Sequence, residues 1–148
     1  MLAACASGCL GGDGAVTARW RLSERQTGAL YDPRDISDES GTCCQPVAGS
    51  PACAGAPAWR VTRVHVVLAD PATATEIAAQ PGLDASCGSR ELTTPFSLPE
   101  GLFAISLRAF DPAAPAMIEA ESPSPQIRTV RKAEIVNLDV VELLVSDQ

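Results

Sequence analysis

The 148-residue chain has a formal net charge of −7, with 18 acidic residues against 11 basic ones, of which Lys132 is the one lysine. The basic residues are scattered rather than clustered, and phosphate neutralisation needs clustered positive charge, so we predict no nucleic-acid partner. The length fits a single domain, and no apolar run reaches the roughly 18 residues that a membrane-spanning helix requires.

The first predicted element is a lipid-attachment signal. Leu2-Ala3-Ala4-Cys5 has the order of a bacterial lipobox, in which an aliphatic residue and two small residues precede the lipid-bearing cysteine. We therefore predict a lipoprotein with palmitate on Cys5, held at the bacterial cell envelope on the outer membrane. Only four residues precede Cys5, so we expect the basic and apolar parts of an export signal to lie upstream. The alternative is a chance run of small residues in an alanine-rich chain.

The stretch after Cys5 predicts a flexible tether. Residues 6–14 contain four glycines and few apolar side chains, a composition typical of flexible linkers, and could span about 30 Å when extended. We therefore divide the chain into a lipobox and tether at residues 1–14 and one β-sandwich domain at residues 15–148.

Period-two alternation predicts the first strands. Residues 15–22 place Val16, Ala18, Trp20 and Leu22 on one face, the pattern of a half-buried strand. Residues 59–68 place Val64, Val66 and Leu68 inward and His65 outward. Residues 72–80 favour a short helix that ends at Pro81-Gly82.

A long irregular stretch, residues 23–57, separates the first two strands. Loops of this length in a compact domain are normally functional, disordered or cross-linked. Because Cys43, Cys44 and Cys53 lie within it, we predict that disulfides staple it.

The second half of the chain predicts further strands. Residues 102–110 turn four apolar side chains inward, residues 113–125 form a loop, and residues 126–130 form a short strand with Ile127 and Val130 inward. Residues 135–145 change phase near Val140. The inward sets are Phe103, Ile105, Leu107 and Ala109, then Val141, Leu143 and Val145. Six or seven short strands with turns between them predict an all-β, antiparallel sandwich of the immunoglobulin or transthyretin type.

The order of these elements resembles a known family. A Trp-bearing strand is followed by a Cys-containing loop, an Arg-Val-Thr-Arg-Val-His-Val-Val strand and Leu-Pro-Glu-Gly-Leu-Phe-Ala-Ile at residues 98–105. Over residues 15–146 this is similar to the transthyretin-like, carboxypeptidase-regulatory-like β-sandwich of predicted lipoproteins from Gram-negative bacteria. The resemblance implies a fold rather than a function, and it implies a disulfide between Cys53 and Cys87.

The cysteine count predicts two bridges and one unpaired thiol. If Cys5 carries lipid, five cysteines remain, and Cys9 in the tether is the natural unpaired one. Adjacent cysteines rarely bridge each other, so we expect Cys43 or Cys44 to pair with Cys9 or with another loop cysteine.

Two metal sites are weaker alternatives. Cys43, Cys44, Cys53 and His65 could bind a soft metal, but zinc sites usually separate paired cysteines by two to four residues. Residues 31–39 hold four carboxylates that could bind calcium, but their spacing matches no EF-hand loop, and a solvated acidic loop is the better interpretation.

No motif for catalysis is present. His65 is the only histidine, and the sequence has no phosphate-binding glycine loop or zinc-protease motif. We predict no enzymatic activity and no cofactor, and a binding or scaffolding role for residues 23–57 or a sheet edge towards a protein or other envelope partner. The alternative is a metal- or redox-active protein that uses Cys43, Cys44 and Cys53. A carbohydrate-binding sandwich would need exposed aromatic side chains.

Overall fold

The computed structural model describes residues 13–55, 57, 59–77, 82–113, 118–122 and 124–145, with the backbone alone for 118–121. This part of the chain forms strands and two short helical turns, the α-helix α1 (Pro33–Ile36) and a 3-10 turn (Cys87–Ser89). The strands are β1 (Ala15–Glu24), β2 (Cys43–Cys44), β3 (Arg60–Val61), β4 (Arg63–Ala69), β5 (Asp84–Ser86), β6 (Glu91–Thr93), β7 (Gly101–Phe110), β8 (Ile118–Glu121), β9 (Gln126–Val130), β10 (Ile135–Asn137) and β11 (Val141–Val145). In these residues, no helix has the length and apolar character needed to cross a membrane.

Strand β1 belongs to two sheets. Its first half pairs with β6 and β10, and its second half pairs with β11. From β11 the larger sheet continues through β8, β7 and β4 to β5, and β9 pairs with the first half of β7. The predicted all-β sandwich is confirmed, but the loop predicted for residues 113–125 is wrong over Ile118–Glu121, because pairing with β7 and β11 holds these residues as strand β8. Most pairings are antiparallel, and β1 adds two parallel ones, with β10 and β11.

The inward faces of the main strands match the predicted alternation. The core contains Val16, Ala18, Trp20 and Leu22 of β1, Val64, Val66 and Leu68 of β4, Phe103, Ile105, Leu107 and Ala109 of β7, and Val141, Leu143 and Val145 of β11. The expected phase change is also present, because Val140 is 53% exposed while Val141 is buried. These side chains recur at every second position, as the pleat of a strand requires.

One inward position was wrong. Ile127 is 48% exposed, whereas Val130 is 1% exposed. Two residues three apart on a regular strand face opposite sides, so both could not point inward. Val130 takes the inward position because it packs against Gly14, where a Cβ atom would lie 2.6 Å from its Cγ1 atom.

The helix predicted for residues 72–80 is wrong over 72–77, and residues 78–80 lie outside the described residues. An Asp70 carboxylate oxygen accepts the N–H groups of Ala72 and Thr73 at 2.8 and 3.2 Å. Ala74 has a φ of +59°, and Glu76 forms a bridge to Ala69. The aspartate side chain thus favours a tight turn over the helix that alanine content predicts.

The direction of β1 defines two ends of the sandwich. At the N-terminal end, Gly14 pairs with Leu98, and the Asp13 carbonyl accepts the N–H of Ala133. At the distal end, the Arg25 N–H donates to the Val145 carbonyl as the chain leaves the sheet. The ten residues of β1 separate these ends by about 33 Å.

Candidate functional site: the stapled segment

The segment at residues 25–57, here called the stapled segment, starts with a return along β1. Ser23 forms a bridge with Leu30, and the Tyr31 N–H donates to the Leu22 carbonyl. The Glu24 carboxylate closes the intervening turn by accepting the N–H groups of Gln26 and Thr27 at 3.0 and 2.6 Å. The hydrogen bond from the Gln26 N–H, followed by that from Thr27, lowers the pKa of Glu24.

A second carboxylate organises the turn that leads into β2. One Asp38 oxygen accepts the Ser40 N–H at 2.9 Å, the Ser40 hydroxyl at 2.6 Å and the Thr42 N–H at 3.1 Å. The hydrogen bond from the Ser40 hydroxyl is the main cause that lowers the pKa of Asp38. The pKa is lowered further by the Thr42 and Ser40 N–H groups and by the charge of Arg60, whereas burial raises it. The ionised carboxylate therefore favours the backbone conformation that directs Cys43 and Cys44.

Two disulfides cross-link the segment: Cys43 with Cys87, and Cys44 with Cys53. Neighbouring residues on an extended strand point to opposite sides, so Cys43 and Cys44 reach different partners. Cys43 lies opposite Val61 of β3, and the Cys87 N–H donates to the Thr62 carbonyl, which brings Cys87 beside Cys43.

The bridge that the family resemblance implied, Cys53–Cys87, is therefore wrong. Cys53 stays within the segment, where its sulfur lies 3.5 Å from the Thr42 carbonyl oxygen, and pairs with Cys44. The expectation that an adjacent cysteine takes another loop cysteine is confirmed by this pair. Cys5 and Cys9 lie outside the described residues, so lipidation and the unpaired thiol stay predictions.

An apolar base joins the stapled segment to the sandwich core. The Tyr31 and Trp59 rings have centroids 5.5 Å apart and are tilted by 54°, and Ile36 of α1 belongs to the same buried core. The Trp20 indole N–H donates to the Cys87 carbonyl at 3.0 Å. Both tryptophans are buried, so neither offers the exposed ring that a carbohydrate-stacking site needs.

The outer surface of the segment carries three adjoining depressions that all include Arg34; we call this the Arg34 surface. One, of about 350 Å³, lies between α1 and Arg90. A second, of about 580 Å³, extends along residues 46–52, and the third extends towards Asp38 and Ser40. No signal in the sequence linked Arg90 to Arg34, because the Cys43–Cys87 bridge brings their segments together.

The predicted metal ligands do not form a metal site. Cys43, Cys44 and Cys53 are in disulfides and offer no thiolate. In the described part of the chain, no three His, Cys, Asp or Glu side chains are placed to hold a metal ion. Two of the four carboxylates in the acidic stretch at residues 31–39 accept nearby backbone N–H groups. Asp32 accepts the Arg34 N–H at 2.9 Å, and Asp38 accepts the N–H groups of Ser40 and Thr42.

His65 lies on the outer face of the larger sheet among charged side chains. Its Nδ1 atom is 2.8 Å from an Asp84 oxygen, and its Nε2 atom is 3.6 Å from a Glu76 oxygen. The other Glu76 oxygen is 3.9 Å from Arg108. Sequence reasoning placed His65 on this face but missed both carboxylates, because the first depends on the pairing of β4 with β5 and the second on the turn at Asp70.

Comparisons with models of protein families, with curated proteins and with solved structures found no match to this chain. Membership of the transthyretin-like family therefore stays a prediction, and function is inferred from the residues of this chain.

Proposed function

We propose that the protein is a lipid-anchored binding or scaffolding protein of the bacterial cell envelope, and that its stapled segment contacts a protein partner there. The observation that carries the proposal is the position of the stapled segment, which leaves β1 at the distal end, about 33 Å from Gly14. A tether that enters at Asp13 would therefore hold this segment away from the membrane and accessible to a partner.

The tether length fits such an arrangement. Eight peptide steps separate Cys5 from Asp13, which span at most about 28 Å. In an anchored protein, Asp13 would stay within that distance of the bilayer. The stapled segment would lie farther from the bilayer by up to about the length of β1.

Cross-linking prepares the stapled segment for binding. A loop that is ordered before it meets a partner loses less conformational entropy on association. Here the two disulfides, the Glu24 and Asp38 carboxylates and the buried Trp59 order the segment in the free protein. Exposed Val47 lines the charged Arg34 surface, and exposed Leu30 lies elsewhere in the segment, which gives the mixture of apolar and polar groups that protein interfaces use.

Fatty-acid labelling tests the anchor. The chain would be expressed behind a lipoprotein leader that ends at Ala4, in bacterial cells grown with an alkyne palmitate analogue. We expect label on the unmodified chain and on Cys9→Ser, which is the matched control, and none on Cys5→Ser. Label that survives Cys5→Ser, or no label on any of the three, would contradict the proposal.

Site-specific photo-crosslinking in intact cells tests the binding surface. A photoreactive residue at Val47 should give a discrete adduct, whereas the same residue at Val140 should not, although the two native side chains are similarly exposed at 47% and 53%. Equal adducts at both positions, or none at Val47, would argue against the stapled segment as the contact surface.

A free-thiol count separates this proposal from a redox role for the loop cysteines. With Cys5 lipidated and both bridges formed, the unreduced protein should expose one thiol, that of Cys9. Two or more additional reactive thiols would show that a bridge opens readily and would favour redox chemistry at Cys44 and Cys53.

A further inference from the structure

The N-terminal end of the sandwich carries a concentration of exposed apolar side chains. Seven large hydrophobic residues are at least 45% exposed in the described part of the chain, and four of them belong to the elements at this end. These four, here called the apolar rim, are Phe96, Leu102, Ile127 and Ile135, with exposed fractions of 45%, 55%, 48% and 45%. Large apolar side chains exposed at one end of a domain can mark an interaction surface.

Strand pairing places the rim residues on elements that reach the N-terminal end of the sandwich. Ile135 pairs with Ala15, and Phe96 lies two residues before Leu98, which pairs with Gly14. On the larger sheet, Leu102 pairs with Thr129 while Ala104 pairs with Ile127. Leu102 and Ile127 are therefore diagonal neighbours on one face.

Charge at this end is mixed, with two basic side chains against the three carboxylates of Asp13, Glu100 and Glu134. The turn at residues 131–134 carries Arg131 and Lys132, and within the described residues neither side chain forms a salt bridge. Glu134 lies in the same turn, and the Glu100 carboxylate accepts the Lys132 N–H at 3.0 Å. Apolar contact rather than charge would therefore supply any attraction, while the long stems of Arg131 and Lys132 can keep their charges in water beside an apolar surface.

We infer that the apolar rim rests on the lipid surface beside the anchor, so that the N-terminal end of the sandwich faces the membrane. This inference deepens the proposed function and rests on an anchor at Cys5. The tether enters the domain at Asp13, next to the pairing of Gly14 with Leu98, and its eight peptide steps from Cys5 keep Asp13 within about 28 Å of the bilayer. Tethering at such short range gives a high effective concentration, so modest apolar contacts are enough to orient the domain.

The occupant that best fits this end is the bilayer. A second copy seated on the rim would have to share the space through which its own tether and that of its partner leave. The lipid surface is present at this end whenever the anchor is inserted. With the rim on the membrane, β1 points away from it and carries the stapled segment outwards.

Paramagnetic relaxation measurements on nanodiscs test the orientation. The Cys9→Ser chain would be coupled through the Cys5 thiol to a maleimide-headed lipid in discs of phosphatidylethanolamine and phosphatidylglycerol that contain a gadolinium-chelating lipid. Because the coupling is chemical, the result does not depend on whether cells acylate Cys5, and a failure of the labelling experiment above stays distinguishable from a failure here.

We expect strong broadening of the backbone amide signals of Leu102, Lys132 and Ile135 and little broadening at Leu30 and Val47. Changing the four rim residues to serine should lower the population of the docked orientation by at least about tenfold. Leu30→Ser and Val47→Ser, both in the stapled segment and similarly exposed, are the matched controls and should leave the broadening unchanged. Leu102→Ser and Ile135→Ser alone, each at an exposed site, serve if the fourfold variant is unfolded.

Three results would overturn the inference. Equal broadening at both ends would mean that the domain tumbles freely on its tether. Broadening that the rim variants do not change would mean that other residues hold the orientation. Dimerisation of the uncoupled chain that the rim variants abolish, seen by sedimentation, would assign the rim to a second copy.

Discussion

The sandwich strands and the stapled segment are ordered by different means. Strands β4 and β7 pair over seven successive residues and bury an alternating row of aliphatic side chains. The stapled segment contains a two-residue strand and a four-residue helix, too little regular structure to hold its 33 residues by main-chain pairing. Its order comes from two cross-links, two carboxylate-centred turns and a small apolar base. In this protein, the alternation of apolar side chains along each strand specifies the scaffold, and covalent chemistry specifies the surface that we propose for binding.

The largest expected effect is the loss of the bridge between the two regions. Cys43→Ala with Cys87→Ala should lower the free energy of unfolding by about 4 kcal/mol, because the bridge closes a loop with a sequence separation of 44 in the unfolded chain. Urea unfolding followed by tryptophan fluorescence measures this loss. A loss no larger than that for the other bridge would contradict the ranking.

The bridge inside the segment should matter less. Cys44→Ala with Cys53→Ala opens a loop with a separation of only 9, so we expect a loss of about 2.5 kcal/mol. Amide hydrogen exchange should show faster exchange within the stapled segment and unchanged ranking of β4 and β7 as the most protected strands. Uniformly faster exchange over both regions would mean that they are one cooperative unit.

A smaller, pH-dependent effect is expected at Asp38. Asp38→Asn should cost about 1 kcal/mol at neutral pH, because three donors converge on the ionised carboxylate. The folded-state pKa is below the ordinary value of 3.8, so ionised Asp38 stabilises the protein above that pH, and this contribution is lost as the pH falls through the folded-state pKa.

The difference in stability between the unmodified chain and Asp38→Asn should therefore shrink on acidification. Asp35→Asn, in an exposed position nearby, is the matched control and should show no such change. A difference that stays constant from neutral pH to pH 3 would show that the charge of Asp38 does not organise the turn.

The smallest effect is expected at a surface ion pair of the sandwich. Arg21 and Glu142 lie 2.8 Å apart across β1 and β11, with side chains 49% and 39% exposed. A double-mutant cycle with Arg21→Gln and Glu142→Gln should give a coupling of about 0.2–1 kcal/mol that weakens with added salt. A coupling energy larger than the stability lost in Asp38→Asn would mean that this surface ion pair contributes more to stability than the Asp38 turn.

Much of the sandwich could be predicted from the sequence because its signal is local. A residue's inward or outward position follows from period two, and the rows at Val64, Ile105 and Leu143 are regular. The exceptions have physical causes. Val130 rather than Ile127 faces inward because Val130 packs against Gly14. The alanine-rich stretch after Asp70 forms a turn rather than a helix because the Asp70 carboxylate accepts its N–H groups.

The stapled segment could be predicted in outline but not in detail. The cysteine count agrees with the two bridges of the described residues, whereas their partners depend on β2 pairing with β3, which only the three-dimensional arrangement provides. The proximity of Arg34 and Arg90, which line one depression, also could not be predicted, because the Cys43–Cys87 bridge brings their segments together. The carboxylates around His65 likewise come from segments that only the folded chain brings together.

Disulfide mapping tests whether one bridge fixes the stapled segment to the sandwich and the other closes it internally. Trypsin should release one peptide at residues 35–60, with Cys43, Cys44 and Cys53, and another at residues 64–90, with Cys87. In unreduced Cys44→Ala with Cys53→Ala these peptides should remain linked, and in Cys43→Ala with Cys87→Ala they should separate while the first keeps an internal bridge. Peptides that separate in the first variant would show that Cys43 is not joined to Cys87 and would contradict the account.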